Sequence, residues 1–324
     1  MNNKISVLYP NYDLKTGDFR KNIHKWIRQT GIPSNDYQLI IGTKKLDSEE
    51  WKKIKSMLRK QDLLFTVGNK ENDNSIWNRC AARSKNKYLL FVEGHVTPRR
   101  NFLRGLSKII KNKKGIQVVN TQAKNTTASE FEKIIDQWFL QTIQQRVKSH
   151  NFAFVSRWAF LIERSLFRKI GPFEPSFEQF APPFLSARLA KNLISIHETE
   201  PTGLVHEMEK TISHHHDATR SYVRGYVCAE KTIIKEELCK YFSPNPFFAE
   251  EMKKNKACNK KQNLFTFLRK IYIRTMETWI RRTKIKILEN LVMRGPLPAK
   301  IKLDLFKRAH HWVTIDEYVK AKRL

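Results

Sequence analysis

Glu93-Gly94-His95 follows directly on the apolar run Tyr88-Leu89-Leu90-Phe91-Val92, with Pro98 a few residues on. On an extended segment, side chains two positions apart point the same way, so Glu93 and His95 can face one cation. A carboxylate oxygen with an imidazole nitrogen suits a Mn2+-like ion, which accepts mixed oxygen and nitrogen ligands. Gly94 between them allows close approach of a phosphate, or an unusual backbone angle. A divalent ion held there neutralises a diphosphate and stabilises the charge that develops as it leaves. His214-His215-His216, beside Asp217, is the other conspicuous cluster. It reads as an exposed polar run, with assistance to a metal or diphosphate site as the alternative.

The elements that must position these residues alternate between strands and helices. Ile5–Tyr9, Leu39–Ile41, Leu63–Val67 and Tyr88–Val92 read as buried strands, with Gln117–Val119 and Ile194–Ile196 as shorter ones. Helical spacing appears at Phe19, Ile23, Trp26 and Ile27, at Trp51, Ile54 and Leu58, and over 76–82, 101–111, 131–147 and 184–193. Strands alternating with helices predict an α/β fold with a mostly parallel sheet, whose ligands sit beyond the carboxyl ends of the strands. The residues after Tyr9 and after Val92 are therefore the places to look for chemistry.

The chain has 324 residues, more than one core usually serves, since domains split beyond about 250–300 residues. Residues 1–240 are expected to form the main domain. Residues 241–324, after the turn signal Ser243-Pro244-Asn245-Pro246, read as basic amphipathic helices carrying Leu264, Phe267, Leu268, Ile271, Ile280, Ile285, Ile287, Leu288 and Leu291. The whole chain has 61 Lys and Arg against 31 Asp and Glu, a net +30, and the stretch from Tyr241 onward carries 20 against 7. Such a field recruits polyanions, and a basic amphipathic tail suits an anionic membrane surface. No helix-turn-helix, RRM or zinc-finger signature accompanies the charge, so no specific nucleic acid is expected. Cys80, Cys228, Cys239 and Cys258 form no close pair, which fits a reducing compartment. There is neither a signal-peptide core at the start nor an apolar run long enough to span a bilayer. A cytoplasmic location is expected, peripheral at the inner face of the membrane.

The ordered segments resemble the family 2 glycosyltransferases, which have the GT-A nucleotide-sugar fold, over roughly residues 4–207. The first strand of that family ends in a Pro-Thr-Tyr-Asn-like motif, here Pro10-Asn11-Tyr12-Asp13. Its Asn-x-Gly helix is matched by Asn78, with Cys80 and Ser84 where Gly and Ala are usual. Its Asp-x-Asp metal motif is matched by Glu93-Gly94-His95, and a later Arg-x-x-Phe-x-x-Ile-Gly-x-Phe signature by Arg164, Phe167, Ile170, Gly171 and Phe173. The resemblance implies transfer of a sugar from a nucleotide diphosphate sugar to a glycan or lipid-linked acceptor, with Mn2+ or Mg2+ as cofactor. It further implies a role in cell-surface polysaccharide synthesis. Relatives with an acid-and-histidine motif have a downstream His ligand, which makes His206 the third metal candidate beside Glu93 and His95.

Where inverting members have a Glu-Asp pair as general base, this chain has Ala181-Pro182. Glu178 and Glu174 are the nearest substitutes, Glu178 being the closer. Loss of catalysis with retention of binding is the alternative. For the donor, the resemblance points to Pro10, Asn11 and Asp13 at the mouth of the first strand, Asp73 facing the base, and Asn78, Arg79 and Gly94. Arg79 and Lys70 are the expected phosphate contacts. The family's acidic residue after the second strand has no counterpart in Gly42-Thr43-Lys44.

Overall fold

The computed structural model describes residues 4–11, 19–113, 115–150, 155–208, 211–238, 241–242, 280, 282–293, 295 and 297–322. The strands are β1 (Ile5–Asn11), β2 (Tyr37–Thr43), β3 (Leu63–Thr66), β4 (Tyr88–Val92), β5 (Val96–Pro98), β6 (Val118–Asn125), β7 (Ala159–Glu163) and β8 (Ile196–His206). The α-helices are α1 (Phe19–Ile27), α2 (Ser48–Met57), α3 (Asp73–Arg83), α4 (Phe102–Asn112), α5 (Glu130–His150), α6 (Arg164–Ile170), α7 (Ala181–Lys191), α8 (Ile212–Lys235), α9 (282–293) and α10 (Ala299–Ala321). They divide into two compact units: Met1–Thr126 with Asn151–Glu207, and Thr127–His150 with Met208–Leu324. This division differs from a boundary at residue 240, because α5 and α8 cluster with the last helices.

The first unit is built on one sheet, in the order β3-β2-β1-β4-β7-β6-β8-β5. The pairs β1/β2, β2/β3, β1/β4 and β6/β8 are parallel; β4/β7, β6/β7 and β5/β8 are antiparallel. The expected mostly parallel α/β sheet is therefore present. Every residue of β1 and β4 is buried, which explains why both read as apolar runs rather than as alternations. Successive side chains of β4 serve opposite faces. Leu90 and Val92 join a core with Trp26 and Phe102, whose rings meet edge to face at 5.8 Å. Phe91, on the other face, packs against Trp77, Phe160, Phe167 and Phe173. The Arg-x-x-Phe-x-x-Ile-Gly-x-Phe signature thus has a physical role, with Phe167 and Phe173 closing this second core. Gly171, at φ 102°, ends α6 where a Cβ would lie 2.9 Å from the Arg188 guanidinium.

Three registers fix the site. Parallel pairing of β1 with β4 sets Pro10 and Asn11 near the residues that follow Val92. Antiparallel pairing of β4 with β7 sets Val92 opposite Ala159, so the chain just before β7 runs beside Glu93, whose N–H donates to the Trp158 carbonyl at 3.1 Å. In β8, which is 11 residues long where three were expected, His206 lies opposite Val96 of β5 and Asn125 of β6. That brings His206 next to His95 across 111 positions of sequence.

In the second unit, Phe131, Ile134 and Ile135 of α5, Ile212 of α8, Val292 of α9, and Leu303 and Phe306 of α10 form one core. The Glu130–Lys302 ion pair (2.8 Å) and the Arg224–Glu317 pair (3.2 Å) tie α10 to α5 and α8. The sequence pattern does not announce α8, because its first turn is the histidine triplet. The reading of that triplet as an exposed run holds only for His214. His215 and His216 are buried, drawn in by Trp138, Phe306 and His310 around His215 and by Glu289 on His216. Asp13, Cys239, Cys258, the 243–246 turn and the apolar positions 264–271 lie outside the described residues. Among the described residues no helix is long and apolar enough to cross a membrane.

Candidate metal and donor site

Glu93, His95 and His206 converge as one cluster, with one ligand atom of each within 4.8 Å of the others. The Nε2 atoms of the two histidines are 2.9 Å apart, and Glu93 Oε2 lies 3.5 Å from that of His95 and 3.6 Å from that of His206. Ligands about 2.1 Å from a common ion, at angles of about 90–110°, stand about 3.0–3.5 Å apart. The spacing fits a facial set of one carboxylate and two imidazoles. Glu93 and His206 are buried, while His95 keeps 30% of its side chain exposed and forms the open side.

The surroundings prepare each ligand. His206 Nδ1 meets Asn125 Oδ1 at 2.9 Å, so the ring donates there and turns a bare Nε2 toward the cluster. The Trp158 ring packs 5.3 Å from the His206 ring. Burial, followed by the neighbouring His95, brings the His206 imidazole down to about 3 against the opposing pull of Glu93, so it is neutral at pH 7 and able to ligate. Burial works to raise the Glu93 carboxyl, yet His95, Arg157 and His206 together outweigh it and hold the group at about 2. Its two oxygens are divided: Oε1 accepts from Arg157 Nε at 2.9 Å, and Oε2 faces the histidines.

Arg157 is a site residue that no local sequence signal marks. Besides Glu93 it reaches Asp73 Oδ2 at 3.1 Å, and its guanidinium lies 5.6 Å from the centre of the Trp77 ring. Asp73, expected near the donor base, is thereby connected to the Glu93 cluster. Asn125 is the second residue that sequence reasoning missed.

Most of the other sequence candidates are engaged within the protein. The glycine at 94 is required by the chain's own backbone, since a Cβ there would stand 2.7 Å from the Pro10 carbonyl oxygen. The Gly94 carbonyl accepts from the Tyr9 hydroxyl. Asn11 is buried and donates to Thr43 Oγ1 at 2.9 Å, which fixes the end of β1 against β2. Asn78 uses both ends of its amide on the Phe173 backbone, at 2.6 and 3.0 Å. Arg79 is paired with Glu71 and donates to the Thr66 carbonyl, and Lys70 is exposed. Glu174 is exposed and caps the short 3-10 turn Pro175–Phe180 through Ser176. Glu178 is half-buried within that turn, and Ala181-Pro182, where the sequence resemblance leads one to look for a carboxylate pair, opens α7.

Solved structures share this architecture. The chain is similar to the mannosyltransferase PcManGT from Pyrobaculum calidifontis in complex with GDP-Man and Mn2+, with a TM-score of 0.54 at 13% identity, over 99% of this chain and 86% of that one. The fold is GT-A-like. S. aureus TarS 1-349 in complex with UDP-GlcNAc is similar over 99% of this chain and 90% of its own, with a TM-score of 0.51 at 10% identity. No family model and no curated protein matches the sequence. On a GT-A-like sheet the Glu93 cluster stands at the carboxyl end of β4, beside that of β1, where open α/β sheets bind ligands.

Proposed function

We propose that this chain is a metal-dependent glycosyltransferase of the family 2 type, taking its sugar from a nucleotide diphosphate sugar. The observation that carries the reading is the convergence of Glu93, His95 and His206 at the end of β4 on a GT-A-like fold. Two proteins of similar fold are in complex with GDP-Man and with UDP-GlcNAc, which favours a donor of that class. When bound, Mn2+ or Mg2+ supplies positive charge to the diphosphate as the sugar departs.

The chain's own groups do the rest. Glu93, His95 and His206 hold the ion, Asn125 and Arg157 fix two of those ligands, and Asp73 lies on the donor side. Glu178 takes the proton of an acceptor hydroxyl. The oxygen so freed bonds to the anomeric carbon, the bond from that carbon to the diphosphate breaks, and the electron pair leaves with the diphosphate. Attack opposite the leaving group inverts the anomeric centre. The acceptor is a glycan or a lipid-linked glycan of cell-surface polysaccharide synthesis. On α9, Ile287 and Leu291 are exposed and fall on one helical face with Lys284. That supports docking at the anionic inner face of a membrane, at about 1 kcal/mol per well-placed Lys or Arg. Ala181-Pro182 at the expected carboxylate positions favours a second reading, a binding protein without turnover.

A thermal-shift screen of UDP, GDP and their sugars, with and without Mn2+, tests the proposal. A melting point raised only when metal and nucleotide are both present is expected. A rise that is independent of metal and persists in Glu93→Ala contradicts it.

A further inference from the structure

Helix α3 and the asparagine that caps it grip one segment of backbone at three points. Asn78 donates to the Phe173 carbonyl at 2.6 Å, Asn72 to that of Pro175 at 2.8 Å and Asn74 to that of Glu178 at 2.7 Å. The last gripped residue has φ 41° and ψ −127°, a region natural to glycine and strained for any residue with a side chain. That residue is Glu178. Its carbonyl also accepts the N–H of Ala181, which starts α7. Asn74 is 1% exposed, and its Oδ1 has no hydrogen-bond partner among the described residues. An apolar side chain would avoid that desolvation, but it would also drop the bond to Glu178.

A strained carboxylate-bearing turn and an orphaned buried acceptor therefore meet at one hydrogen bond. The strain is not needed to close the fold, because glycine at 178 makes the same turn without it. The neighbouring Asp73 is tied through Arg157 to Glu93, so the first turn of α3 carries both the Glu178 turn and one side of the metal cluster. We infer that Asn74 is a positioning residue that holds the Glu178 turn in its strained form and so aims the carboxylate. Asn72 and Asn78 fix the rest of the segment. This rests on the proposed role of Glu178 as proton acceptor and says how that role is enforced.

The test compares full-length Glu178→Gly, Glu178→Gln, Asn74→Ala and the Asn74→Ala/Glu178→Gly double variant. Melting temperature is read by calorimetry. Turnover is read as Mn2+-dependent release of GDP from GDP-mannose or UDP from UDP-N-acetylglucosamine. Glu178→Gly is expected to raise the melting temperature by about 2–4 °C, while Glu178→Gln leaves it unchanged. Both lower release by about 100-fold or more. Asn74→Ala lowers kcat by about tenfold or more, with donor KM and Mn2+ affinity unchanged, and costs less stability in the Glu178→Gly background. A Glu178→Gly protein that melts at or below the unaltered one overturns the strain, whatever its activity. An Asn74→Ala protein that keeps its kcat, or in which KM rises as kcat falls, overturns the positioning role. Glu178→Gln that still releases nucleotide overturns the proton-acceptor reading instead, even where Glu178→Gly is stabilised. Failure of the unaltered protein to release nucleotide from either sugar counts against both.

Discussion

Each unit of the molecule holds a histidine pair with one buried ring, and the two pairs are alike by the measures usually taken to mark a site. In the first unit, His95 and His206 meet through their Nε2 atoms at 2.9 Å; in the second, His215 Nε2 meets His310 Nδ1 at 3.3 Å. Burial, with a neighbouring imidazole as the second cause, brings both His206 and His215 down to about 3. The difference lies in what the lone pairs face. Glu93 turns a carboxylate oxygen toward both nitrogens of the first pair, and Asn125 and Arg157 lock the arrangement. The second pair is packed among Trp138, Phe306 and Thr219, while the carboxylate of Glu289 pairs with His216. Depressed basicity alone therefore identifies burial. Convergence of ligand atoms on one point is the further feature that a metal site requires, and only the first pair has it among the described residues.

The comparison breaks first on metal binding. Glu93→Ala is expected to weaken Mn2+ binding by more than the about 10–100-fold typical of an outer partner, whereas His215→Phe leaves it unchanged; isothermal titration checks both. Acid is the next largest effect. The folded values near 3 lie below the unfolded value of about 6.5, so the unfolded chain takes up protons first. Stability is then lost as pH falls from about 6.5 toward 3, at about 1.4 kcal/mol per pH unit for each histidine. Saturating Mn2+ should protect the share due to His206 and not the share due to His215, as urea unfolding at several pH values can show. Asn125→Ala leaves the three ligands in place, yet frees the His206 ring to choose the wrong tautomer. It should cost about 10–100-fold in Mn2+ affinity. Gly94→Ala forces a Cβ against the Pro10 carbonyl and should destabilise the fold by about 1–3 kcal/mol in denaturant melts.

The sequence exposes those parts of the site whose cause is local. Tyr88–Val92 is a continuous apolar run because β4 is buried on both faces, and it delivers Glu93 and His95 at the strand end. His206 comes into view only through resemblance. Arg157 and Asn125 do not appear at all, since what brings them in is register: Val92 opposite Ala159, and Asn125 opposite His206. Gly94 signals that something approaches closely, while only the fold tells that the neighbour is Pro10. The histidine triplet misleads for the same reason in reverse. Its burial depends on aromatic side chains of α5 and α10 that lie far away in sequence.

The central claim is that one divalent ion is held by Glu93, His95 and His206. Electron paramagnetic resonance of Mn2+ titrated into the full chain tests it most directly. The account predicts one bound Mn2+ per chain, with nitrogen hyperfine coupling from two imidazoles that falls to one in His206→Ala and sharpens when UDP or GDP is added. Bound manganese without nitrogen coupling, or a spectrum unchanged by His206→Ala, would contradict it.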